Sequence, residues 1–121
     1  MTSTGIEGLY IETHNWGKTV AFWIALGYVL EFETDHHSGQ LRHPAGGPYL
    51  FVAERPAEHA LVMYPVVHAD DATAFAPPAG AAIAKPFTPE HWGVVEMHLS
   101  DPDDRPVSVQ APLESASATP G

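Results

Sequence analysis

The segment His43-Pro44-Ala45-Gly46-Gly47-Pro48-Tyr49-Leu50-Phe51-Val52 has a counterpart in Asp101-Pro102-Asp103-Asp104-Arg105-Pro106-Val107-Ser108-Val109-Gln110. Each is a proline-marked turn followed by a β-prone run, and Pro102 lies 58 positions after Pro44. Thr13 and Ala69, each closing the first strand of its half, are 56 positions apart. Near-constant spacing of this kind marks a duplicated structural unit. In a chain of 121 residues it leaves room for two copies inside one domain and for little else.

Each half reads β, α, β, β, β. In the first, Leu9 and Ile11 alternate with Gly8, Tyr10 and Glu12, which predicts a strand over 6–13. Asn15 caps a helix in which Val20, Phe22, Trp23 and Leu26 recur at helical spacing, and Gly27 ends it. Strands follow over 28–33, 40–43 and 49–53. In the second half a strand is predicted over 61–68 and a short helix over 70–76, broken by Pro77-Pro78. Further strands are predicted over 82–87, 92–100 and 107–111. The modules thus span about 6–56 and 60–112 of a single domain over 1–112, and the Ser-, Ala- and Pro-rich stretch 113–121 is expected to be a flexible tail. A module alone covers one sheet face with a helix and leaves the other bare. The expected class is α+β: two tandem βαβββ modules whose curved mixed sheets enclose a cavity.

Composition narrows the chemistry. The chain has no cysteine, which removes disulfides, thiolate metal sites and thiol nucleophiles. Five Lys and Arg stand against fifteen Asp and Glu, a net charge of −10. That excludes a phosphate-gripping nucleic-acid binder and attraction to an anionic membrane surface. No apolar run reaches the roughly 18 residues of a membrane span, and the N-terminus lacks the pattern of a secretory signal, so a cytoplasmic location is expected. No Gly-x-Gly-x-x-Gly or phosphate-binding loop is present.

Three segments, in order, carry a family resemblance. Lys18-Thr19-Val20-Ala21-Phe22-Trp23-Ile24-Ala25-Leu26-Gly27-Tyr28 is similar to an "xAVxFYxxLGF" helix-to-strand element, His91-Trp92-Gly93-Val94-Val95-Glu96 to "PWGxRE", and Asp101 to Gln110 to "DPDGxxxxLx". Over roughly residues 6–112 the chain resembles the vicinal oxygen chelate superfamily (glyoxalase, bleomycin resistance protein, dioxygenase), most closely its bleomycin-resistance-like binding proteins. Asp104 replaces the usual turn glycine, a change that its tolerance of left-handed backbone allows.

The resemblance implies a divalent metal in the enzymes of the superfamily, held from the first and last strands of each module. Carried over, those positions are Gly8, Leu50, Tyr64 and Ser108, which offer no ligand set of His, Asp or Glu. No metal or other cofactor is therefore expected. The alternative is a relocated divalent site using Glu12, His68, Glu96 and His98. The resemblance to the binding branch also implies a homodimer and ligand contacts at Phe32, Asp35, His37 and Trp92.

Period-2 alternation adds its own candidates. The face opposite Leu61, Met63 and Val67, and opposite Val95, Met97 and Leu99, carries Tyr64, His68, Trp92, Glu96 and His98, joined by Tyr10, Glu12, Leu50, Ser108 and Gln110. Phe22, Trp23 and Phe51 are expected to fill the core. Rings interleaved with carboxylates suit a flat, cationic or aromatic small molecule. The expected function is metal-free binding and sequestration of such a natural product, with Phe32, Asp35, His37, Tyr64, His68, Trp92, Glu96, His98 and Gln110 as ligand contacts. The alternative is a lyase, isomerase or dioxygenase-type enzyme in which Glu96 and His98 act as an acid–base pair.

Overall fold

The computed structural model describes residues 3–117. They form two compact units, residues 7–64 and residues 65–117 together with 3–6.

In the unit 7–64, β1 (Gly5–Thr13) leads into α1 (Trp16–Ala25), then β2 (Val29–Glu33), β3 (Ser38–Arg42) and β4 (Tyr49–Glu54). The sheet order is β2-β3-β4-β1, antiparallel except for the parallel pair β1 and β4. The helix starts where the sequence places it. Asn15 Oδ1 accepts from the Lys18 amide at 3.0 Å, a side-chain cap of one otherwise orphaned N–H. The helix has no acidic residue in its first turn. Glu54 of β4 supplies that charge, its Oε2 accepting from the Trp16 amide at 2.8 Å. Gly27 ends the helix in the left-handed region, where a side chain would meet His43 at 2.8 Å.

Leu41, Leu50 and Val52 are fully buried beneath Val20, Trp16 and Trp23. Each such aliphatic side chain contributes about 1.5–3 kcal/mol by leaving water. Two core expectations fail here. Phe22 is 59% exposed, because two residues along a helix turn it to the side opposite the buried Val20. Phe51 lies on the opposite sheet face from Leu50 and Val52, its strand neighbours, which occupy the core.

The unit 65–117 has the same order. β5 (Met63–His68) pairs in parallel with β8 (Pro106–Pro112), and the hairpins β6 (Ala82–Pro89) to β7 (Val94–Ser100) and β7 to β8 are antiparallel. The order β6-β7-β8-β5 therefore repeats β2-β3-β4-β1, and the duplication is structural. Val95, Met97, Leu99, Val109 and Ala111 form its core with Ala69.

The covering of that core departs from expectation. No helix forms over 70–76; residues 72–74 are a turn. Asp71 Oδ1 accepts from both the amide and the hydroxyl of Thr73, at 2.9 and 2.7 Å. That local alternative to a helix wins when Pro77-Pro78 leave only one or two turns to propagate. Residues 113–117, expected to be tail, instead form α2 (Leu113–Ser117). Its Leu113 and Ala116 pack on the core beside Phe75 and Phe87, and Ser115 Oγ accepts from the Ala72 amide at 3.0 Å. Residues 118–121 of the expected tail lie outside the described residues. Leu61 precedes β5 and Met63 opens it, so neither is held against an apolar face, and both are exposed.

One misassigned face has a definite cause. The loop between β3 and β4 has six residues (43–48) and that between β7 and β8 has five (101–105). Leu41 pairs with Leu50, but Leu99 pairs with Val107. The constant offset of 58 aligns Leu50 with Ser108 and so slips by one residue, and a slip of one exchanges faces. Leu50 is core; Ser108 faces the other way.

Candidate functional site

Each unit presents one sheet face on the side away from its core. On the unit 7–64 that face is aromatic. Leu9 and Ile11 pack with the α1 core, so Tyr10 and Glu12 point the other way. Register brings Tyr10 opposite Phe51, Phe51 opposite Gln40, and Gln40 opposite Phe32. Strict alternation along β2 would put Phe32 beside the buried-side Leu30. A register shift between Leu30 and Phe32 inserts Glu31 as a bulge and swings Phe32 to the face of Phe51. Glu31 Oε1 then accepts from Gln40 Nε2 at 2.9 Å and Arg42 Nε at 3.3 Å, which draws the Gln40 amide aside.

The rings form a row. Phe32 and Phe51 have centroids 6.4 Å apart at 53°. Phe51 and Tyr10 are stacked at 6.4 Å and 13°, and Tyr10 and Tyr64 at 4.8 Å and 29°. Such pairs add about 0.5–1.5 kcal/mol each beyond simple burial. Phe32, at one end, is exposed.

Glu12 sits under the other end. Its Oε2 accepts from the Tyr10 hydroxyl at 2.8 Å and lies 3.3 Å from Arg55 Nε; its Oε1 accepts from the Val62 amide at 3.2 Å. Burial, reinforced by this hydrogen bond to a carboxylate, pushes the Tyr10 phenol well above its usual range. Tyr10 therefore stays protonated across the physiological range and keeps donating.

The equivalent face of the unit 65–117 is ionisable. Thr88, Glu96, Gln110 and His68 are register neighbours, as are Lys85, His98, Ser108 and Val66. Glu96 is only 7% exposed. Its Oε2 accepts from Ser108 Oγ at 2.5 Å and Gln110 Nε2 at 3.0 Å, and its Oε1 lies 3.2 Å from His98 Nε2. A carboxylate taken this far from water requires such partners. Ser108 donates to the carboxylate rather than to the imidazole, so the trio is not arranged to activate a serine nucleophile. Lys85 Nζ lies 2.8 Å from Glu90 Oε2, which holds the ammonium above its ordinary range. His68 Nε2 lies 3.0 Å from Asp70 Oδ1.

The structure thus gathers Phe32 and Tyr64 into the aromatic row, and Glu96, His98 and Gln110 into the polar cluster. It places Asp35, His37 and Trp92 outside both. Asp35 is exposed and pairs with its neighbour His36 at 3.1 Å. His37 adopts a positive φ of 53°, with Nδ1 3.1 Å from Glu54 Oε1. Glu54 accepts from the Trp16 amide and from His37, and its carboxyl lies below the usual range for those reasons. His37 therefore frames the start of α1. Alternation puts Trp92 on the face of Glu96 only if its strand begins at residue 92. β7 begins at Val94, after a turn containing Gly93 at φ +90°. Trp92 is 50% exposed and sits edge-on to His91 at 4.9 Å. Phe51, Arg55 and the anchoring role of Glu12 escaped the sequence. The signal for Phe51 was the unequal loop length; for Arg55 there was none.

The residues at the positions that the resemblance assigns to a metal do not fit a divalent ion. A Cβ on Gly8 would fall 2.3 Å from the Tyr49 ring. Leu50 is core, Tyr64 is stacked on Tyr10, and Ser108 donates to Glu96. In the alternative set, Glu12 is bound to Tyr10, Arg55 and Val62, His68 to Asp70, and Glu96 to His98. Among the described residues no group of three or more His, Asp or Glu is placed to hold a metal. A cleft of about 420 Å³ in the unit 65–117 is lined by Gly80, Ala82, Asp101, Leu99 and Val107; the last two belong to the core face, so it is distinct from the Glu96 cluster. No helix among the described residues is long and apolar enough to cross a membrane.

No protein-family model matches the chain, and no curated protein matches it. Solved structures do. A glyoxalase/bleomycin resistance protein/dioxygenase superfamily member from Vibrio splendidus 12B01 superposes with a TM-score of 0.66 at 11% identity, over 86% of this chain and 96% of that one. An integron cassette protein from the mobile metagenome of a Halifax Harbour sewage outfall gives 0.44 at 14%, over 89% and 98%. A bleomycin-binding protein complexed with bleomycin gives 0.38 at 17%, over 84% and 93%. The first superposition carries the conclusion: this chain has the glyoxalase/bleomycin resistance/dioxygenase fold.

Proposed function

We propose that this chain binds a small planar molecule of aromatic, cationic character on the ring-lined face of residues 7–64 and holds it unchanged. The observation that carries the proposal is the row Phe32, Phe51, Tyr10 and Tyr64, four rings from separate strands presented on one face with Phe32 exposed. Ring faces attract flat π-systems and cations alike. The net charge of −10 favours capture of a cation over an anion, most at low salt. The proposal includes no metal and no cofactor, and a homodimer as the acting species. The likeness in fold supports a family in which ligand binding occurs; the ligand class rests on the rings and the charge.

The test is native mass spectrometry and calorimetry with two probes, bleomycin and thioflavin T. One probe per chain, recovered chemically intact, supports sequestration; a modified probe rejects it.

A second reading rests on the Glu96–His98 contact. A buried carboxylate that orients an imidazole is an acid–base pair. Turnover abolished by His98→Gln, with probe binding unaffected, would favour it.

A further inference from the structure

We infer that Glu12 is the positioning residue of the aromatic row: one carboxylate fixes Tyr10 and Tyr64 against each other and is itself unavailable to a ligand cation. The inference rests on the binding proposal and specifies how that face selects its ligand. Three elements converge on this side chain. The Tyr10 hydroxyl of β1 donates to Oε2, Arg55 from the end of β4 pairs with the same oxygen, and the Val62 amide donates to Oε1. The Glu12 amide also donates to the Val62 carbonyl at 3.0 Å. Val62 is therefore held at both its N–H and its C=O by one residue. Tyr64 follows two positions later, and its ring rests on Tyr10 at 4.8 Å. Further bonds hold the same loop: the Arg55 amide donates to the Thr13 carbonyl at 2.7 Å, and His14 Nε2 lies 2.8 Å from the His59 carbonyl.

Two consequences follow for the ligand. The Glu12 charge is neutralised by Arg55 and engaged by two donors, so a cationic ligand finds no free carboxylate there. The Tyr10 hydroxyl is committed to Glu12 and offers no donor outward. This end of the row presents ring faces, and selection works through flatness and π-contact rather than through a salt bridge. A planar cation and its neutral isostere are then bound within a fewfold of each other once long-range attraction is screened by salt.

The experiment uses Glu12→Gln and Tyr10→Phe in the full chain, with thioflavin T as probe. Glu12→Gln keeps the shape and removes the charge. Far-UV circular dichroism should be unchanged, near-UV tyrosine signals should fall, and one tyrosine phenol should titrate lower than in the parent. Probe affinity should fall about tenfold, the worth of a hydrogen bond to a charged group. Tyr10→Phe keeps the ring, should abolish the high-titrating phenol, and should weaken the probe by a smaller factor. Unchanged affinity in a folded Glu12→Gln chain overturns the inference, as does an affinity loss with no change in tyrosine signals. If Glu12→Gln does not fold, Tyr10→Phe decides: affinity equal to the parent overturns it. If the parent binds no probe, the binding proposal fails, and the tyrosine spectra of the two variants still report whether Glu12 holds the pair.

Discussion

The two units share strand order and pairing, and differ in what they show on the face away from the core. Residues 7–64 carry a row of rings; residues 65–117 carry a buried carboxylate with serine, glutamine and histidine around it. They differ as well in how the core is covered, by a ten-residue capped helix in one and by a turn plus the short α2 in the other. Duplication therefore constrains topology and leaves face chemistry free to diverge. Strand register shows this most sharply: Leu50 corresponds to Val107, both on the core side, whereas Phe51 of the aromatic row corresponds to Ser108 of the polar network.

Leu50 and Ser108 supply the strongest way to break the comparison. Leu50→Ala should cost about 2–5 kcal/mol, because the site lies under α1 and cannot collapse; urea unfolding measures it. Ser108→Ala should cost less, about 1–3 kcal/mol, by leaving the buried Glu96 short of a donor. A Ser108→Ala loss as large as that of Leu50→Ala would contradict the face assignment. A chain ending at Pro112 sharpens the second contrast. It should be destabilised and should bind an apolar dye at the uncovered face, since Leu113 and Ala116 leave the core of residues 65–117. An unaffected chain would show that α2 covers nothing of consequence.

A smaller effect concerns the helix start. The Glu54 carboxyl titrates below its usual value because the Trp16 amide and His37 stabilise the anion. A depressed folded-state value means its contribution is complete above the unfolded carboxyl value, about 4.3. It is lost as pH falls through the folded value. Glu54→Gln should flatten that part of the acid-stability profile of residues 7–64 and leave the profile near neutral pH parallel to the parent. The smallest expected effect is that of Trp92→Ala on stability, within about 0.5 kcal/mol for an exposed turn residue. A larger loss would place Trp92 in a core.

Much of the architecture was legible in the sequence. The cap at Asn15, the stop at Gly27 and the alternation through 94–100 are local signals, and the duplicated order follows from them. Four features were not legible. The bulge at Glu31 that turns Phe32 toward Phe51 depends on cross-strand bonds to Gln40 and Arg42. The loss of the second helix reflects Asp71 bonding to Thr73, a competition decided by two prolines. The covering role of residues 113–117 arises from packing that a Ser- and Ala-rich stretch does not announce. The face of Leu50 hung on counting five loop residues against six. Of the candidate site, parity along the strands gives Glu96, His98 and Gln110 and puts Tyr10 with Tyr64, while Phe51, which joins Tyr10 to Phe32, is not legible.

The central claim is that the ring-lined face of residues 7–64 grips a planar ligand. Calorimetric titration of thioflavin T into the parent chain, Phe32→Ala and Tyr64→Ala tests it most directly. Both substitutions should weaken the probe by about 1–3 kcal/mol, the worth of a stacking ring, while the fold persists. Equal affinity in all three folded chains would contradict it.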